Sequence, residues 1–240
     1  MSTHKQTKKY NMQNIIEKFE IAGKSANINK KLISSSTNKL IDHSIKNLSP
    51  SVIEESSSGQ LISYDVYSRL LKDRIIYFCH PVTTETSNIA IAQILFLEMT
   101  EGKKDITFYI MSPGGEIDSG SAILDTFELV SCDIKTVGMG VVASMGTMLL
   151  SSGTKGKRYA LPSSRIMMHE LASGFEGKMK DLKVSYEQCQ IMEKRLYEKL
   201  SKNTGQDYET IFNKCQKDYW VSAEQAVGEG LIDEVLIKRK

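Results

Sequence analysis

The sequence predicts an α/β fold in which short buried strands alternate with helices. The runs at 75–79, 106–111 and 134–139 are brief and mostly apolar, as suits strands covered on both faces. The segments 66–71 and 89–99 instead carry apolar residues at helical spacing, and they alternate with those runs. Further on, 157–161 and 165–169 read as two more strands joined by a turn at Pro162-Ser163-Ser164. Then Leu182, Cys189, Met192, Leu196 and Leu200 form one stripe of a long helix that stops at Thr204-Gly205.

The chain of 240 residues, 40% apolar, has material for one full-sized core, and one globular domain over 51–240 is expected. Residues 1–50 differ from the rest. They hold nine Lys against Glu17, Glu20 and Asp42, with a Ser-, Asn- and Thr-rich run at 34–38, the composition of a flexible extension: a tail, a propeptide or a transit peptide. A short helix at 12–21 is possible there. The net charge of +2 comes from this extension, so the remainder lacks the basic excess of a nucleic-acid binder.

Cys79, Cys132, Cys189 and Cys215 lie far apart without CxxC spacing, which fits buried thiols in a reducing compartment and no metal site. No apolar run is long enough to span a bilayer, and the N-terminus lacks the apolar stretch of a secretory signal. A cytoplasmic protein is expected, or an organellar one if the extension is a transit peptide.

Two segments can carry chemistry. Ser112-Pro113-Gly114-Gly115 directly follows a buried strand, and its adjacent glycines allow a backbone that turns amide N–H groups toward a ligand. A plain tight turn reads equally well there. Ala143-Ser144-Met145-Gly146 falls at a strand-to-helix junction, where free N–H groups favour negative charge. Ser144 is either an N-cap or a nucleophile, whose oxyanion the N–H groups of Gly115 and Met145 could hold. A serine nucleophile needs a base. Of His4, His43, His80 and His169, two lie in the extension and His80 precedes Pro81. His169 ends a strand whose apolar residues would bury and fix its imidazole. Composition does not choose the orienting carboxylate.

Taken together, these segments and several others resemble the ClpP family. The runs at 67–75, 112–115, 143–146, 153–159 and 168–169 match that family in order and spacing, as do those at 204–206, 222–226 and 230–233. The likeness covers roughly 52–238. It implies a crotonase-like spiral of β/β/α units with a protruding helix-strand handle formed by 171–178 and 182–201. It implies a Ser144 nucleophile, a His169 base and an Asp218 orienting acid, in a serine endopeptidase. It further implies two stacked heptamers enclosing the sites and a Clp-type AAA+ unfoldase that feeds in unfolded polypeptides, with partner-binding positions at Tyr109, Leu129 and Tyr159. No cofactor is expected: the chain has no Walker A pattern, so ATP belongs to the partner.

Departures from the family pattern gather beside the site. Glu170-Leu171 follow His169 where Gln-Pro is usual, Met111 replaces Asn, Val141-Val142 replace Gln-Ala, and Lys217 stands where Arg is common. A phage-type head-maturation protease and a non-catalytic ring subunit of the same fold are the alternatives. Retention of all three triad residues argues against the second.

Overall fold

A computed structural model describes residues 50–55, 59–174 and 176–237. The chain divides into two compact units, Met1–Ile53 and Glu54–Lys240. The helix expected at 12–21, and most of the N-terminal extension, lie outside the described residues.

In chain order the elements are β1 (Ser51–Glu55), β2 (Leu61–Asp65), α1 (Val66–Lys72), β3 (Ile75–Phe78), α2 (Thr84–Glu101), β4 (Ile106–Ser112), α3 (Ile117–Leu129) and β5 (Ile134–Ala143). There follow α4 (Met145–Ser151), β6 (Arg158–Ala160), β7 (Arg165–Met168), α5 (Met179–Thr204), α6 (Tyr208–Cys215), β8 (Tyr219–Ser222), α7 (Ala223–Gly228) and β9 (Glu234–Val235). The expected α/β alternation is present, and the mixed α/β architecture with its parallel sheet is that of the ClpP-like fold.

The main sheet runs β3-β4-β5-β6-β9, all parallel, with helical crossovers between β3, β4, β5 and β6. Its inner face carries Ile76, Phe78, Ile106, Phe108, Ile110 and Ile134, each no more than 3% exposed. Phe108 stacks on Phe78 and meets Phe127 of α3 edge-on, with centroids 5.6 and 5.2 Å away.

β5 organises the site. Its first half pairs with β6 through Thr136, Val137 and Gly138, and its second half pairs with β7 through Val141, Val142 and Ala143. The two expected strands at 157–161 and 165–169 therefore do not pair with each other; both lie parallel to β5, one after the other. Between the halves Gly140 takes φ +56° and the register to β4 shifts, so the strand turns on its way to residue 144. α4 then enters the core with all seven residues buried, its two polar side chains, Thr147 and Ser151, donating to backbone carbonyls.

The long helix α5 begins earlier than its apolar stripe and ends on Gly205 at φ +79°. Of its 26 residues only Tyr197 and Leu200 are buried, so the body of the protein covers only its last turns. Among the described residues no helix is long and apolar enough to cross a membrane.

Candidate active site

The strand–serine–helix junction is strained. Ser144 sits at φ 54°, ψ −122°, one of two described non-glycine residues with positive φ. Its N–H is held by Met167 O at 2.9 Å, and its own carbonyl accepts from Thr147 and Met148 N–H, which starts α4. Thr147 fixes the turn from below, donating its hydroxyl to Met167 O at 2.7 Å and Val142 O at 3.0 Å. Ser144 does occupy the N-cap position of α4, but its side chain makes no capping hydrogen bond. Its hydroxyl is left to the cleft.

Against this junction lies the Pro113-Gly114-Gly115 turn. A Cβ on Gly114 would come 2.6 Å from Ser144 Cβ and 3.0 Å from Met145 N, and one on Gly115 would strike Val82 O at 2.1 Å. Both residues have positive φ, +93° and +150°. Val82 bridges Gly115 by donating to Gly114 O and accepting from Glu116 N–H, each at 2.9 Å. That pattern leaves the Gly115 N–H unused, and the Met145 N–H, first in its helix, is also without a partner among the described residues. Both residues line the same cleft as Ser144.

This cleft, about 660 Å³, runs between the turn, the junction, residues 168–173 and α5. Cys189, Met192, Leu196 and Leu200 of the α5 stripe form one wall, while Leu182 does not reach it. His169 lines the cleft too, one residue beyond β7. Its imidazole is not buried as expected; the side chain is 30% exposed, because the strand ends at Met168 and residue 169 already faces the opening. Asp218, just ahead of β8, lies with Oδ1 3.6 Å from His169 Nδ1 and is itself 63% exposed. The antiparallel pairing of β7 with β8, Met168 opposite Tyr219, brings these two residues together. Among the described residues no hydrogen bond joins the Ser144 side chain to His169.

Acidic side chains unnoticed in the sequence also line the cleft. Glu193 of α5 accepts from the buried Tyr197 hydroxyl at 2.9 Å and from Leu171 N–H at 3.4 Å. Burial, then that hydrogen bond, pushes the Tyr197 phenol well above its ordinary range. Glu116 is held charged below its ordinary value by hydroxyls of Ser119 and Thr84. The only sequence signal for Glu193 is its place one residue after Met192 of the apolar stripe.

The remaining expected positions lie elsewhere. Tyr109 and Tyr159 share one register row across β4, β5 and β6, half-buried on the outer face of the sheet and outside the core, where Lys135 lies over the Tyr159 ring. Leu129 is not in that row; it ends α3, 76% exposed. All four cysteines are free: Cys132 and Cys215 are buried, Cys79 and Cys189 half-buried. Among the described residues no three potential ligands are grouped as a metal site.

Across residues 57–239 the chain matches the family model for Clp protease. The match spans the sheet, the Ser144 junction, the glycine turn, the cleft and the long helix, and on it the chain belongs to the Clp protease family, as a ClpP-type protease.

Proposed function

We propose that this chain is a serine endopeptidase subunit in which Ser144 is the nucleophile, His169 the general base and Asp218 the acid that orients it. One observation carries the reading: a strained serine, two unpartnered N–H groups at Gly115 and Met145, and a histidine backed by a carboxylate share one cleft. Ser144 Oγ attacks the scissile carbonyl while its proton passes to His169 Nε2, and the two N–H groups receive the oxyanion. Collapse of the tetrahedral intermediate breaks the C–N bond, His169 returning the proton to the departing amine. Water, activated by the same imidazole, then hydrolyses the acyl-enzyme. Asp218 holds the Nδ1–H tautomer throughout, and a closing movement of about 0.7 Å converts its 3.6 Å contact into a hydrogen bond.

The assembled enzyme is a ring, two heptamers stacked through the handle. A Clp-type AAA+ unfoldase spends the ATP, docks near Tyr109, Leu129 and Tyr159, and delivers unfolded polypeptides for degradation; short peptides enter unaided. Labelling with a fluorophosphonate, followed by mass spectrometry of the modified peptide, tests the assignment. Phosphonylation of Ser144, lost in Ser144→Ala, is expected; a label on another serine overturns it.

A further inference from the structure

Beside the cleft opens a second cavity of about 240 Å³, walled by Leu171, Ser173, Tyr186, Cys189, Gln190 and Glu193. Four of these residues, Leu171, Ser173, Cys189 and Glu193, also line the main cleft, so the smaller cavity is a side chamber of the larger one. Leu171 is two residues beyond His169, so the chamber lies close to where bonds would be broken.

Its chemistry is one-sided. Glu193 Oε1 is already engaged by Tyr197 and Leu171, whereas Oε2 has no partner and the carboxylate forms no ion pair among the described residues. Gln190 Nε2 turns toward Tyr186, donating to its hydroxyl at 3.2 Å, and the amide oxygen is left as an acceptor for a ligand. Ser173 Oγ, which accepts from Cys189 Sγ at 3.8 Å, adds another acceptor. No Lys or Arg lines either cavity; on the same helix Lys183, Lys194, Lys199 and Lys202 are paired with Glu187, Glu198 and Glu128, while Lys180 and Arg195, outside both cavities, form no ion pair among the described residues. Glu116, Asp118 and Glu170 line the main cleft, form no ion pair among the described residues and extend the negative field around the chamber. The family supplies the ligand class, a polypeptide. What such a chamber lacks is a cation on a long stem.

We propose that this chamber is a specificity subsite for a Lys or Arg side chain of the substrate, with Glu193 as the residue that selects it. The main cleft, walled by Met145, Met148, Met168, Met192, Leu196 and Leu200, takes an apolar side chain, so the enzyme cuts where an apolar and a basic residue lie close together. This inference rests on the peptidase reading of the cleft.

The test gives the full-length protein internally quenched peptides that differ at one residue, Lys or norleucine, moved through each position around the scissile bond. At one position Lys is expected to raise kcat/KM by about 5- to 20-fold, as for a half-solvated ion pair, with the advantage shrinking as salt rises. Glu193→Gln should bring the ratio to within about twofold, and Gln190→Glu, which adds a second carboxylate, should raise it. Fluorescence anisotropy with the same peptides on Ser144→Ala should give the same selectivity in binding, without cleavage. Ratios within about twofold at every position, in cleavage and binding alike, overturn the subsite, as does a Lys preference that Glu193→Gln leaves intact. Lys-selective binding to Ser144→Ala together with no cleavage of any peptide by wild type overturns the peptidase reading and leaves the subsite standing.

Discussion

A single backbone oddity, the positive φ of Ser144, connects much of the local sequence. Holding a non-glycine residue there costs on the order of 1–3 kcal/mol, and Thr147 and Met167 supply the hydrogen bonds that hold it. The strain lifts the hydroxyl out of the helix cap and into the cleft. Ser144→Ala should therefore reduce peptide hydrolysis by on the order of 10³–10⁶ while leaving folding intact, and His169→Ala added to it should cost nothing more, since the residues act as a unit. Activity at a tenth of wild type in Ser144→Ala would exclude it as nucleophile. Gly114 shows the same logic from the other side. Gly114→Ala puts a methyl within 2.6 Å of Ser144 Cβ and a side chain at φ +93°, which should lower stability by about 2–4 kcal/mol and abolish fluorophosphonate labelling. Normal labelling in a thermally unshifted Gly114→Ala would show that the turn and the serine are not pressed together. The two glycines and the serine were legible in the sequence as a turn and a junction. That they could serve one oxyanion was read there too; the bridge from Val82 that holds the turn in place was not, because residue spacing carries no record of which backbone segments pair.

At the scale of elements, the apolar runs of β3, β4 and β5 and the stripe of α5 were legible because burial on a parallel sheet or a cleft wall leaves a periodic trace. α3, α6 and α7 went unread: α3 interrupts its apolar residues with Gly120 and Asp125, and α6 and α7 are too short for periodicity to register. Nor did the sequence reveal what ties the end of the chain to the core. Arg158, 3% exposed, donates to both carboxylate oxygens of Asp233, and also to Ser151 O and Asn203 O, joining α4, β6, α5 and the segment before β9. Burial alone would raise the Asp233 carboxyl, but the hydrogen bonds and charge of Arg158, with Gly156 N–H, hold it below its ordinary 3.8. A depressed carboxyl stabilises the fold above the unfolded value, so this contribution is fully present above about pH 4–5 and is lost as pH falls through the lower folded value. Asp233→Asn leaves Arg158 buried without a counter-charge and should cost about 3–5 kcal/mol, read as a lowered Tm at neutral pH. The variant's deficit should shrink in acid below the ordinary Asp range. A deficit unchanged down to pH 2 would show that the clasp works by shape and not by charge.

At the scale of the molecule, the apolar surface left uncovered argues for assembly. α2 buries Ala90, Ile94 and Leu97 on one side, yet on another presents Ile89 at 60%, Phe96 at 54% and Met99 at 87% exposure, a stripe at positions i, i+7 and i+10. A helix apolar on opposite sides is built to be covered on both, and in a closed ring each copy would supply the cover for the next. The wild-type protein should therefore run as a large oligomer in light scattering at micromolar concentration, with a tetradecamer as the expected mass. The N-terminal extension, set apart by its Lys-, Ser- and Asn-rich composition, should be dispensable for this: deletion of residues 2–50 should preserve both the mass and short-peptide turnover. The double substitution Phe96→Glu, Met99→Glu places two carboxylates on the exposed stripe, away from the buried side of the helix, so the subunit should still fold. Two charges forced into an apolar contact should shift the scattering mass toward single subunits at the same concentration and reduce turnover with it. A wild-type protein that stays monomeric would remove the ring, and with it the chamber that confines proteolysis to unfolded chains. A double variant that keeps the full mass and activity would instead leave the ring in place and show that its contacts avoid this face of α2.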